Sequence, residues 1–191
     1  MAGFRFAAIA AALLSSTFAQ AQEDPYAGGT RQRERRGIYL GLGGGGGIQL
    51  ASGSDARFGF GGEVKIGYAL NRKLQVYLSG ALNSADHSGL AEVQHQILIT
   101  AHAHQFLYQD RSLGVFVDAG IGFGFMTPGY LVSRRDLGIG IGYGGSLGIE
   151  IALGPSLSLV PEFYYRSVNP QYQDGTAQIH AIGLQLGIVY Y

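Results

Sequence analysis

Three groups of residues in this 191-residue chain are of types that do chemistry. Asp86-His87-Ser88 sets an acid, a base and a hydroxyl side by side, the components of nucleophilic catalysis. Neighbours in sequence rarely aim at one another, however, and working triads draw on separated positions. His102 and His104 are two apart, a spacing that turns both imidazoles to one side of a strand, where a metal could be ligated. The third group is dispersed: Glu63, Lys65, Asp118, Glu150, Glu162 and Arg166. Whether these form a site or a structural network depends on the elements that carry them. Composition already narrows the chemistry. With no cysteine there is no thiolate metal site, no cysteine nucleophile, no disulfide and no lipid-modified cysteine. Lys+Arg and Asp+Glu are both 13, so the basic excess of a nucleic-acid binder is missing. An apolar content of 47% with zero formal charge argues against disorder.

The elements are strands. From Phe58 to Leu70, even positions read Phe, Phe, Gly, Val, Ile, Tyr, Leu, and odd positions read Gly, Gly, Glu, Lys, Gly, Ala. That period of two marks a strand with two unlike faces. Leu113–Met126, Leu137–Leu153 and Ala181–Tyr190 repeat it. Glycine numbers 32, and most of it falls on the polar face beside occasional charges. Such a face is a poor surface for water but suits the crowded interior of a narrow barrel. The large aliphatic face must then point outward, which is stable only in lipid. Transmembrane strands need about 9–11 residues, and these segments supply them.

Strands are expected at about 37–50, 58–70, 74–83, 92–108, 113–126, 136–153, 157–167 and 177–191. The fourth has the least cleanly separated faces, because His95 shares the apolar side with Val93, Ile97 and Ile99. Short connections (71–73, 109–112, 154–156) alternate with longer ones (51–57, 84–91, 127–135, 168–176), as in outer-membrane barrels with short periplasmic turns. The expected fold is an all-β, closed, eight-stranded antiparallel transmembrane β-barrel in an up-and-down meander. Both termini fall on the periplasmic side of the cell outer membrane. Ahead of the barrel, Arg5, the apolar run Phe6–Leu14 and Ala19-Gln20-Ala21 have the three parts of an export signal. Residues 1–21 are therefore expected to be cleaved, 22–36 to form a flexible basic periplasmic leader, and 37–191 to form the barrel.

IGLQLGIVYY, ending in Tyr191, resembles the last strand of outer-membrane barrels, whose terminal aromatic is read by the barrel assembly machinery. RRGIYLGLGGGGG resembles the first strand of the small eight-stranded family and LGVFVDAGIGFGF its fifth. That family includes the barrel domain of outer-membrane protein A and the opacity-type proteins. The resemblance covers about 37–191 and implies no periplasmic domain after Tyr191. Two enzyme families of the same membrane offer weaker likenesses. A lipid A palmitoyltransferase carries His, Asp and Ser at its outer rim, as Asp86, His87 and Ser88 are expected to lie. Lipid A deacylases place a His, one residue, then a Ser-Asn pair. Ser167 aligns with that serine, but position 165 is Tyr, which leaves the hydroxyl without an activator.

On the alternation, Glu63, Lys65, His102, His104, Asp118, Glu150, Glu162 and Arg166 all face the interior. An eight-stranded interior is just filled by side chains, and buried charges are costly unless paired. We therefore expect an interior polar network and neither a metal nor a cofactor. Lys65 is expected to pair across the lumen with Glu162 or Glu150, and Asp118 with His102 or His104. Arg134 and Arg135, in the third outer loop, are placed to meet lipopolysaccharide phosphates. The expected partners are outer-membrane lipid, lipopolysaccharide, the assembly machinery and a surface partner met by the loop tips. The function that follows is a structural or surface-interaction role with a plugged interior. A lipid A-modifying enzyme and a narrow porin-like channel are the rivals.

Overall fold

Bulky residues alternating with Gly, Ala and Ser fix every long strand of the protein. In a computed structural model that describes residues 37–51, 55–87, 92–127, 138–172, 175–176 and 178–191, these are β1 (Gly37–Ala51), β2 (Arg57–Ala69), β3 (Leu74–His87), β4 (Glu92–Gln109), β5 (Leu113–Thr127), β6 (Gly138–Ala152), β7 (Leu157–Tyr172) and β9 (Ile179–Tyr190). A two-residue strand, β8 (Gly175–Thr176), folds back on the end of β7. Each long strand pairs antiparallel with the next, and β1 pairs with β9 from Leu40↔Tyr190 to Ala51↔Ile179. The sheet therefore closes on itself as an eight-stranded barrel with no free edge, which is what lipid demands of a β-structure.

Several strands run past their expected ends. β3 continues to His87 and β7 to Tyr172, rather than stopping at 83 and 167. The polar run Ser84–His87 reads as a loop in sequence, yet each residue has a partner on β4, from Ser84↔His95 to His87↔Glu92. A ladder needs backbone groups, so polar side chains do not end it. Arg57 likewise opens β2 opposite the buried Gln49, on the inward face. β6 is described from Gly138 and β9 from Ile179, and the expected starts at 136 and 177 lie outside the described residues. The turns at the other end are 70–73, 110–112 and 153–156.

Side chains tie two of the turns. Asn71 Oδ1 accepts the N–H groups of Lys73 and Leu74 at 2.8 and 2.9 Å. Asp110 Oδ1 does the same for Leu113 and Ser112, both at 2.7 Å. Those two backbone donors hold the Asp110 carboxyl below the usual carboxylate range. β4 has a bulge between Phe106 and Tyr108, while His95, whose place among Val93, Ile97 and Ile99 mixes the faces, lies in regular register opposite Ser84. At it, consecutive Leu107 and Tyr108 are both exposed, which a regular strand does not permit.

The two faces divide as the inverted alternation requires. Leu42, Phe60, Ile121, Phe123 and Leu184 leave about two thirds of their surface exposed on the outer wall (66% for Leu184). The interior is stacked in tiers. Tyr39, Tyr77, Phe106, Phe116, Val160 and Val189 cluster at the turn end, with Tyr191 against them. Met126, Val168 and Ile179 cluster near the loop end. Charged and polar residues fill the space between.

Candidate functional site

The middle tier is a continuous network carried by seven strands. Lys65 of β2 donates from Nζ to Glu162 of β7 at 2.8 and 3.1 Å and lies 3.5 Å from Glu63. Arg166, four residues along β7, reaches across to Glu63 at 2.7 Å, to Asn83 at 3.0 Å and to Gln185 at 2.8 Å. Its guanidinium stacks over the Tyr164 ring at 4.2 Å. Gln185 of β9 in turn donates to Glu63 at 2.7 Å and to Glu162. On the far wall His102 Nδ1 meets Asp118 Oδ1 at 3.0 Å. The ladder pairs His104, not His102, with Asp118, so this contact is diagonal. Ser146 of β6 joins the halves by contacting Asp118 at 2.5 Å and Glu162 at 2.8 Å.

Of the two lysine partners expected in sequence, Lys65 takes Glu162. Glu150 lies apart at the turn end, where it accepts Ser158 Oγ at 2.6 Å and the Tyr191 hydroxyl at 2.8 Å. The two histidines also separate. His102 stacks on Tyr77 with ring centroids 4.6 Å apart, whereas His104 stacks on Phe116 at 4.2 Å. Asp86 and His87 are consecutive residues of β3, not members of an outer loop. Ser88, Arg134, Arg135 and residues 1–36 lie outside the described residues. Ser167 is fully buried, on the face of β7 opposite to Arg166.

Sequence reasoning did not single out Gln185, Ser146, Asn83, Ser79 or Thr100. Their signal was present, because each falls on the inward side of its strand. Uncharged polar residues among glycines simply do not announce a network. Among these residues is a cavity of about 10 Å³ lined by Glu63, Lys65, Ser79, His102, Asp118 and Arg166, room for about one water molecule.

Gly120 shows how close the packing is. A Cβ there would come within 2.5 Å of the His102 ring, which Thr100, Asp118 and Tyr77 hold in place. Gly120→Ala is expected to displace His102 from Asp118 and cost about 1–3 kcal/mol, as overpacking does. Thermal unfolding in detergent checks this, and an unchanged midpoint would show that the ring has room to yield.

A β-barrel with its apolar face outside and its ions inside is an outer-membrane architecture, and comparison bears on the point directly. The sequence matches the family described as outer membrane protein beta-barrel domain over residues 7–191. The chain belongs to that family. Among solved barrels, this outer-membrane β-barrel protein is similar to Neisserial surface protein A, with a TM-score of 0.67 and 15% identity, covering 80% of this chain and 96% of that one. It is also similar to Ail, the attachment invasion locus protein of Yersinia pestis, with a TM-score of 0.52 and 15% identity over 81% of this chain and 99% of Ail. At such identities the likeness is one of fold. No curated protein matches the sequence significantly.

Proposed function

We propose that this outer-membrane barrel has a structural or surface-interaction role, exercised by its outer wall and its loops and not through its lumen. The observation that carries the reading is the filled interior, where ion pairs occupy the middle and aromatic and aliphatic tiers lie on either side of it. A path for ions would have to break Arg166–Glu63 and Lys65–Glu162 together. In this reading the loop end faces the cell exterior, the turns face the periplasm, and Arg134 and Arg135 meet lipopolysaccharide. Tyr191 serves as the assembly signal before its hydroxyl is taken up by Glu150.

Epitope insertion tests orientation, and conductance tests the plug. Tags at Asp55 or within 128–137 are expected to be detected on intact cells, and tags at Arg72 or Arg111 only after the membrane is opened. Purified protein in a planar bilayer is expected to give no steady conductance. Surface detection at Arg72, or an open current, would overturn the reading.

A further inference from the structure

A serine and a histidine meet on the outer wall near its loop end. Ser84 of β3 and His95 of β4 are directly opposed in the ladder, so their side chains leave the sheet on one face. Ser84 Oγ lies 2.8 Å from His95 Nδ1. Leu82 and Leu78, which alternate with Ser84 along β3, are exposed, and this marks the face as the outward one. Both members of the pair are half-buried and keep part of their surface open on that side. Ser79, by contrast, meets His102 at 3.4 Å within the filled lumen, where no lipid enters.

The surroundings of the outer pair suit a lipid chain. Phe60 of β2 stands opposite Ser84 and is exposed, and its ring meets that of Phe58 edge-on at 5.1 Å. Toward the membrane centre, Leu78 and Leu82 project on either side of Gly80, where a Cβ would meet nothing within 4 Å. Gly80 leaves a notch in the wall, with Val64 and Ile99 as its ladder neighbours, and an acyl chain descending from Ser84 can seat there. Depth agrees with this. A spanning strand uses about 9–11 residues, and counted along β3 from Leu74 that distance ends at Ser84. The pair therefore lies where acyl chains join their polar heads, at the level of their ester carbonyls.

We propose that Ser84 and His95 act as nucleophile and general base in hydrolysis of a carboxylic ester of a membrane lipid, an activity of the outer wall beyond its structural role. A hydroxyl hydrogen-bonded to an imidazole nitrogen is the arrangement that activates a serine. With Ser84 donating to Nδ1, His95 carries its own proton on Nε2 and accepts at Nδ1. Ser84 Oγ adds to the carbonyl carbon and passes its proton to Nδ1. The bond from that carbon to the lipid's alcohol oxygen breaks, and the alcohol leaves with the proton from His95. Water from the head-group layer then attacks the acyl-serine and gives a proton to Nδ1. The carboxylic acid departs, and Ser84 regains its proton. The sum is ester plus water to acid plus alcohol. Glycerophospholipids and lipid A both carry this bond at this depth.

The test is fatty-acid release by the full protein in micelles of an ester-free detergent, doped either with phosphatidylglycerol or with lipid A and read by mass spectrometry. Release is expected, and the doped lipid that yields it identifies the source of the ester. Ser84→Ala should abolish release. His95→Gln should slow it at least about 100-fold, the lower end of what a positioned base contributes. Ser156→Ala, in the turn before β7, should release as much as the unaltered protein. A fluorophosphonate is expected to form a covalent adduct at Ser84 and not in the His95→Gln protein. A heat-modifiability gel confirms that each variant is folded. No release from either lipid, release undiminished by Ser84→Ala, or an adduct on another serine would overturn the proposal. Micelles have no inner or outer face, so inverted topology on cells would leave this result unchanged.

Discussion

Lys65→Met is expected to cost the barrel about 3–5 kcal/mol, the penalty for leaving a buried charge without its partner. Lys65 is 11% exposed at its side chain and Glu162 only 2%. Removing the ammonium takes the near cation from Glu162 and one of two from Glu63, whose other is Arg166. Gln185 and Ser146 would still donate to Glu162, but neither neutralises it. Adding Glu162→Gln removes the stranded charge and keeps an acceptor for both neighbours, so the double variant should recover most of the loss. Thermal unfolding of the two single variants and the double variant in one detergent measures the coupling. Purely additive effects would mean that the pair contributes nothing as a pair.

Leu184→Arg should cost about 2–4 kcal/mol, the value for arginine on the lipid face near the middle of a transmembrane barrel. Leu184 lies midway along β9, is 66% exposed, and has Phe163 of β7 and Gly46 of β1 as ladder neighbours. No acid flanks it on either strand to receive a guanidinium. Denaturant titration in lipid vesicles gives the number, and the same change at Leu70, in the turn between β2 and β3, is the control. Depth governs the penalty, so Leu70→Arg should be nearly neutral. Equal penalties at the two positions would mean that depth is not the cause.

The fold was legible because its rule is short-range. A two-residue period names the face of each side chain, and the chemistry of that face says whether it meets lipid or lumen. The same rule picked out Glu63, Lys65, Asp118, Glu162 and Arg166 as inward residues. It was silent on who pairs with whom, because pairing depends on height in the barrel. Glu162 and Glu150 are equivalent in sequence, yet only the first is level with Lys65. The diagonal His102–Asp118 contact could not be read from spacing either, since the ladder places His104 opposite Asp118. Loop ends were the weakest part. Ser84–His87 and Val168–Tyr172 are polar enough to read as connections, and their strand character comes entirely from partners elsewhere in the chain. His180 escaped notice for the opposite reason. It is a single polar residue in an apolar face, and only closure of β9 against β7 brings it into register with Ser167.

That closure also orders events in time. Every hydrogen bond between β1 and β9 joins residues separated by most of the barrel's sequence, so the seam carries the greatest loop entropy and forms last. The ion pairs depend on it. Gln185, which links Glu63, Glu162 and Arg166, rides on β9 and arrives only with the seam. Until then the acids and cations of the middle tier must stay in water, because an open sheet offers them no complete set of partners and lipid offers none. The nascent barrel therefore keeps its concave side wet while its convex side is already in the bilayer. The step that zips β1 to β9 is also the step that expels that water. Dehydration of the lumen and completion of the ring are then a single cooperative transition, with one barrier.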